Sequence, residues 1–551
     1  MKTIKKTWFS LLVIVIFIGA ALIWTNVASS DDTFASIQDG LMPLAKVFQE
    51  VNKRYVDKVD PEKFLKSGID GMLQTLDPYT NYIEKDDKDQ LDILTKGKYE
   101  GVGLTLTYRN NVVTVAEMPF IGTPSFKAGI LEGDQIIKVN GILTKDLGYE
   151  KTVQQIRGPR GTEVILTIRR EGESKLLDFT LVREEIKIEN VTYSGLVREG
   201  IGYILLNRFS KYAAPEVTQA IEKLKGQNCK SLILDLRSNP GGMLEAAVEV
   251  SELFLPKHAT IVSTRGRSPE TDQVFKSVKD PIFSEGNLIV LVNEASASAS
   301  EIVAGAIQDH DRGVILGDTT YGKGLVQTLV NLTPTSALKI TTSKYYTPSG
   351  RCIQKKNYSQ WEDTTEINKQ GIFKTDKGRV VHAGGGIVPD MVIHETGESD
   401  LFYDLVRKSM FFNFAVQYAN THARPDSNFT LSDDIIQDFK KYLKQKSYEY
   451  KHPIEKSLIT LKSEAVRGGY QTDLLKDVNR LEQTLTKAKE DIFANSLKDI
   501  KRALKVELGS KFFGTKRQIE IALENDTVFQ KAMTILTDQV YYRTLLNGKS
   551  Q

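Results

Sequence analysis

Three short strings hold the residue types that could do chemistry. The first, NEASASASEIVAGAIQDH, begins at Asn293 after the apolar stretch LIVLVN and runs into a helical pattern. A serine there stands at a strand-to-helix turn, its hydroxyl near helix N-terminal N–H groups, where negative charge is stabilised. Serines in front of helices also serve as N-caps, and Ser300 fits that role. The second string, LDLRSNPGG at 234–242, ends an apolar strand in a Pro-Gly-Gly turn whose N–H groups could approach a substrate carbonyl. In the third, GDTTYGKGLVQ at 317–327, Lys323 lies between two glycines and Gln327 follows four positions later. Glycine neighbours let backbone crowd the ammonium, and burial lowers a lysine pKa toward the range of a general base. Singly, these strings read as a helix cap, a turn and a loop lysine; jointly they suit acyl transfer by a serine nucleophile.

Other chemistries find less support. His310 falls at the far end of the helix that follows the serines, about three turns away, where it suits the helix dipole better than proton transfer from a serine. The six histidines are scattered and no H-E-x-x-H occurs, so neither a catalytic metal nor another cofactor is called for. Cys229 and Cys352 lie far apart without a C-x-x-C spacing, which suggests neither a zinc site nor a disulfide framework. A net charge of +3 over 551 residues leaves no basic footprint for nucleic acid.

A chain of 551 residues, 40% hydrophobic and 26% charged, has room for two to four domains around such a site. Residues 1–30 read as a signal peptide or N-terminal membrane anchor: Lys2, Lys5 and Lys6 precede an apolar run from Trp8 to Trp24. That run approaches the ~20 residues that span a bilayer, and Val27-Ala28-Ser29 is a weak cleavage site, which favours an uncleaved anchor. Lysines before the span and Asp31-Asp32 after it place the rest of the chain on the extracytoplasmic face of the membrane, the periplasm in a two-membrane cell. Residues 31–96 show helical spacing, with Asp60-Pro61-Glu62 as a helix start. From 97 to 185 short strands alternate with glycine turns, a compact β domain. From 186 to 398 apolar strands alternate with helical patterns, which implies a sheet covered on both faces, with a polar insertion at 355–383. Residues 399–551 read as a helical extension; the apolar spacing from 474 to 492 is short for a coiled coil and fits a helix pair in a bundle.

The strings YEGVGLTL at 99–106 and AGILEGDQIIKVNG at 128–141 resemble a PDZ domain. The resemblance implies that Gly101, Val102, Gly103 and Leu104 hold the C-terminal carboxylate of a substrate, with Leu104 and Leu106 selecting apolar ends. The three chemical strings together resemble the carboxyl-terminal processing peptidases, or tail-specific proteases. In that family the nucleophile begins S-A-S-E and the lysine lies in F-G-K-G, with glutamine four residues on. Here Ser298 begins S-A-S-E, Lys323 lies in Y-G-K-G, and the two are 25 positions apart, the family spacing. LDPYTNYI at 76–83, TPSGRCIQ at 347–354 and GIVPD at 386–390 also look like family strings, so the resemblance spans about 35 to 395.

It implies a multidomain α+β protein: helical N-terminal segment, PDZ-like β domain, ClpP/crotonase-like α/β peptidase core and helical C-terminal extension. Ser298 would attack the scissile carbonyl, neutral Lys323 would take its proton and Gln327 would orient the amine. The N–H of Ala299 with that of Gly241 or Gly242 would hold the oxyanion. Ser296 and Ser300 alternate with Ser298, and the choice among the three rests on the family spacing. The implied activity is serine endopeptidase cleavage of exported proteins near their C-terminal ends, with unstructured, apolar-ended proteins as partners. An inactive PDZ-bearing scaffold and a crotonase-like acyl-CoA enzyme are the rival functions; intact Ser298, Lys323 and Gln327 weigh against the first, and the PDZ-like segment and export signal against the second.

Overall fold

The computed structural model describes residues 31–547 apart from 85–92, 94–96, 110, 121, 172, 356–357, 359–370, 395–396, 427–428, 451 and 470–472. The segment 1–30, expected to be a signal peptide or membrane anchor, and much of the insertion at 355–383 lie outside the described residues. The chain divides into a unit ending at Tyr82 and a larger one from Ile83 onward.

In the first unit, Asp60 caps the helix Pro61–Leu73 as its sequence predicts: its side chain accepts the N–H groups of Glu62 and Lys63, and proline at the first turn gives up no needed donor. The preceding helix, Asp31–Arg54, stacks Phe48 on Phe64 with ring centroids 5.8 Å apart.

The larger unit begins with the β domain. Strands Leu106–Arg109, Val112–Val115, Gln135–Val139, Glu163–Arg169 and Leu177–Val182 lie in that order, antiparallel throughout. Alternating residues such as Val113, Ile136, Val164, Leu166 and Ile168 fill the core beneath the helix Thr144–Ile156. Leu106–Arg109 and Leu177–Val182 are its edge strands. The segments that enter and leave the domain, Lys98–Gly101 and Glu184–Lys187, pair antiparallel as a two-stranded neck.

The central sheet runs Val191–Arg198, Ile201–Leu206, Ser231–Asp235, Asn287–Val292, Val314–Gly317, Met391–Val392. Its first pair is antiparallel and the remaining pairs are parallel. Parallel strands need crossover helices, and Ala213–Lys225, Leu244–Glu252 and Ala299–Asp309 cover one face with Val217, Val250, Val303 and Ile307. The other face is covered from the far end of the chain: Leu523, Val528, Phe529, Ala532, Met533 and Tyr542 pack on Tyr203, Ile233, Ile289, Leu291, Val314 and Leu316. A boundary at 398 therefore separates strand-bearing from helical sequence without separating the packing. The helices Thr515–Glu524, Thr527–Thr537 and Gln539–Leu546 complete the layer that the strands alone leave open.

Between them, Asp400–Arg407, Met410–Thr421, Asp433–Gln445 and Leu497–Phe513 form a bundle around Phe411, Phe414, Phe439 and Leu504. Pro453–Arg467 and Asp473–Asn495 pack together with Lys462 bonded to Glu482, a helix pair of the kind the 474–492 spacing predicts. The bundle touches the β domain where the Arg109 guanidinium lies 3.7 Å from the Phe412 ring centre and Lys511 pairs with Glu132. The described second half of the insertion forms a small hairpin, Ile372–Lys374 with Val380–His382.

Candidate active site

The strand Asn287–Val292 delivers the chain to a turn before the buried helix Ala299–Asp309, and three serines alternate across it. Ser296 and Ser300 are fully buried and spend their hydroxyls on structure, Ser296 donating to the Leu236 carbonyl at 2.8 Å and Ser300 to the Asn239 carbonyl at 2.9 Å. Ser298 alone of the three is half-buried and so partly open to solvent. Environment thus distinguishes three serines that residue type leaves alike. Its backbone sits at φ 55°, ψ −112°, the second position of a type II′ turn closed by the Ser300 N–H on the Ala297 carbonyl at 3.1 Å. A non-glycine residue there costs about 1–3 kcal/mol and persists only where its surroundings fix it, a property shared with nucleophile turns of hydrolases. Ser298, and not Ser300, is the helix N-cap residue.

The 234–242 string lies directly against this turn. The Ala297 N–H donates to the Asn239 carbonyl at 3.0 Å, and the Ser238 N–H donates to Asn293 Oδ1 at 2.8 Å. At Gly241, φ +98°, a Cβ would stand 2.7 Å from the Ala297 oxygen and 2.9 Å from both the Ala299 nitrogen and Ser298 Cβ, so only glycine permits the approach. At Gly242, φ +152°, a Cβ would stand 2.2 Å from the Phe209 carbonyl oxygen. The Gly241 N–H is taken by Asn239 Oδ1 at 2.9 Å. The Gly242 N–H meets no acceptor among the described residues, and Ala299, the first residue of its helix, needs no intrahelical acceptor.

Lys323 reaches the same place through Glu301. This carboxylate, fully buried, accepts four hydrogen bonds: Ser298 N–H at 2.8 Å and Lys323 N–H at 3.0 Å on Oε2, Gly322 N–H at 2.7 Å and the Thr320 hydroxyl at 2.6 Å on Oε1. One oxygen shared by Ser298 and Lys323 holds their backbone nitrogens within about 6 Å, two hydrogen-bond lengths. Burial pushes Glu301 up to about 7, with those hydrogen bonds opposing the rise. Strings 347–354 and 386–390 pack around the lysine loop: Gln354 Oε1 accepts the Gly324 N–H at 2.7 Å, and the Thr320 N–H donates to the Ile387 carbonyl at 3.1 Å. The Tyr345 hydroxyl supports the Ser298 carbonyl at 3.2 Å from below. Sequence reasoning missed Glu301 and Tyr345. Glu301 had a signal, since S-A-S-E spells a capping box; Tyr345, 47 positions from Ser298, had none.

Half-buried Lys323 lies in this cluster, and Gln327 lies on the next strand, Leu325–Thr333, with its amide donating to Thr341 Oγ1 at 3.4 Å. His310 is held elsewhere, its ring nitrogens 2.7 Å from Asp376 Oδ2 and from the Thr260 carbonyl oxygen.

In the β domain, Gly101–Val102–Gly103–Leu104 leads into the edge strand Leu106–Arg109. The Thr105 carbonyl accepts from Ala116 inside the sheet, so Leu106 turns its carbonyl to the open edge, where the Tyr149 hydroxyl bonds it at 2.8 Å. Burial pushes the Tyr99 hydroxyl up, opposed by the Arg157 charge and by the Leu104 and Gly103 N–H groups that face it. Arg157 lies over the Tyr99 ring at 5.3 Å.

Profiles of known families match four parts of the chain. The profile of Peptidase family S41 matches residues 200–362, that of a PDZ domain 121–170, that of the activating protease CtpB N-terminal domain 21–87, and that of the probable PDZ-protease C-terminal helical domain 401–536. The carboxy-terminal-processing protease of Bartonella bacilliformis is 39% identical over 62% of this chain and 78% of its own length. The carboxy-terminal processing protease CtpA of Bacillus subtilis is 34% identical over 65% of this chain and 76% of its own. Among solved structures, the photosystem II D1 C-terminal processing protease is 27% identical over 63% of this chain and 92% of its own, with a TM-score of 0.35. The chain that brings together this serine turn, glycine turn and lysine loop, and that also carries a PDZ domain, belongs to peptidase family S41, as a serine peptidase of the carboxy-terminal-processing type.

Proposed function

We propose that the chain is an exported endopeptidase that cleaves proteins near their C-terminal ends with Ser298 as nucleophile and Lys323 as general base. The observation that carries the reading is the single Glu301 carboxylate joining the turn of the one half-buried serine among the three to the lysine loop. Ser298 Oγ attacks the scissile carbonyl and Lys323 Nζ takes the proton, then returns it to the leaving amine. The N–H groups of Ala299 and Gly242 hold the developing oxyanion, with Gly241 supplying space for their approach. Water repeats the sequence on the acyl-enzyme. Gln327 orients the lysine amine once it leaves Thr341. The lysine-flanked apolar run at 8–24 supports export and membrane attachment. Gly241→Ala tests the turn: its Cβ would meet the Ala297 and Ala299 backbone and displace the nucleophile, so kcat of the folded variant on an unstructured peptide is expected to fall by about 10²–10³, as for loss of one oxyanion donor, and Tm to fall with it. A variant with wild-type kcat would remove the turn from the mechanism.

Residues 101–104 receive the free carboxylate of a substrate and Leu106–Arg109 adds its tail as an extra strand, the mode open to an edge strand with backbone donors at one end. The Tyr149 hydroxyl competes for the Leu106 carbonyl that such a tail requires. Tyr149→Phe is therefore expected to tighten an apolar-ended tail peptide about fivefold, the net worth of one hydrogen bond, read by fluorescence anisotropy. The companion measurement compares one unstructured substrate with free apolar, amidated and Asp-Asp ends. Only the first should show the lowered KM that tethering produces. Equal cleavage of all three would reject tail recognition by this domain.

A further inference from the structure

The turn that precedes Gly242 is anchored from a part of the chain outside the peptidase strands. Asp235, 1% exposed at the end of its strand, accepts the Tyr203 hydroxyl at 2.7 Å, the Arg237 N–H at 2.9 Å and the Arg237 guanidinium at 2.6 Å. The same guanidinium nitrogen reaches Asp526 Oδ2 at 2.6 Å. Asp526 is the N-cap of the helix Thr527–Thr537, accepting the Phe529 N–H at 2.9 Å, and the Phe529 ring meets Tyr203 edge-on at 5.6 Å. The loop of contacts closes: Tyr203, Asp235, Arg237, Asp526, Phe529 and back to Tyr203.

The backbone just beyond Arg237 needs such fixing. Ser238 at φ 57° is a non-glycine residue in the left-handed region, which persists only when its surroundings determine it, and Gly241 at 98° and Gly242 at 152° are glycines free to take other conformations unless the turn is held. The other anchors, among them Asn293 on Ser238, Leu206, Ala297 and Ser300 on Asn239, and Phe209 on Gly241, come from the peptidase strands, their helices and their loops.

We infer that Asp526 is a positioning residue for the turn 237–242, so that the C-terminal helices set the oxyanion donors as well as cover the sheet. The inference rests on the assignment of Ser298 as nucleophile and of this turn as its oxyanion site.

The test uses the full chain. Asp526→Ser keeps an N-cap of equal quality but is too short to reach Arg237, so the helix start survives while the brace is lost. Its kcat on an unstructured fluorogenic peptide is expected to fall about tenfold with KM within about twofold, as for loss of an outer-shell contact. Affinity for a peptide boronate, which forms a tetrahedral adduct with the serine, should fall by the same factor, and isosteric Asp526→Asn should lie between. Unchanged kcat and boronate affinity in Asp526→Ser, or an effect confined to KM or Tm, would overturn the inference. If Asp526→Ser does not fold, the same split is required of Asp526→Asn, and its absence there overturns the inference equally. Ser298→Ala separates the underlying assignment: boronate affinity at the wild-type level in that variant would reject the nucleophile itself, whatever Asp526 does.

Discussion

Ser298→Ala and Lys323→Ala are each expected to reduce cleavage of an unstructured polypeptide by on the order of 10⁴-fold or more, because residues that act as one unit lose nearly everything together. Both side chains are half-buried and neither is a core-packing residue, so thermal melting should be close to that of the unaltered protein. The double variant should be no worse than either single one, the signature of shared action in one step. Gln327→Ala should be milder, since its amide is engaged with Thr341 and its proposed role is only to orient the lysine. Near-unaltered cleavage by folded Lys323→Ala would remove the lysine from the mechanism.

The second large effect is expected at Glu301 and carries a pH signature. As a carboxylate, Glu301 accepts from Ser298, Gly322, Lys323 and Thr320; once protonated, one of its oxygens carries a hydrogen among these donors and the bridge weakens. The Tyr345 hydroxyl behind it stays protonated, raised first by burial and then by the Glu301 charge. With Glu301 pushed up to about 7, kcat/KM should rise as pH passes through that value. Stability runs the opposite way. The folded protein keeps this proton to about 7 while the unfolded chain releases it near 4.5, so the group's contribution falls as pH rises across that interval. Glu301→Gln should lower kcat roughly 10- to 100-fold and flatten the acidic limb of the rate profile, as for a lost outer-shell contact. It should also remove this group's part of the fall in Tm between pH 5 and 7. A Glu301→Gln enzyme that keeps both its rate and its acidic limb would show that the bridge does not govern the site.

Much of this organisation is legible in residue order because it depends on local rules. Apolar strands alternating with helical patterns require a doubly covered sheet, and Asp60-Pro61 starts its helix through hydrogen bonds to neighbours two and three residues away. The features hidden from residue order depend on distant partners. The apolar faces of 519–546 announce helices but not that they close the second face of a sheet formed some 200 residues earlier, since hydrophobic contact has no directional code. Ser296, Ser298 and Ser300 are the same residue type; the Leu236 and Asn239 carbonyls that occupy two of them lie about 60 positions away. Gly241 and Gly242 are equivalent donors in sequence, and only Asn239 Oδ1, which takes one of the two N–H groups, separates them. Glu301 is legible as a cap for Ser298, whereas its second allegiance, to 320–323, depends on a crossover that brings another strand alongside.

The central claim, that Ser298 is a nucleophile activated by Lys323, is tested most directly by treating the full protein with a fluorophosphonate and locating the adduct by peptide mass spectrometry. The expected result is stoichiometric modification of Ser298 alone, slowed by at least two orders of magnitude in Lys323→Ala, as for removal of a general base. An adduct on Ser296 or Ser300, or labelling of Lys323→Ala at the unaltered rate, would contradict it.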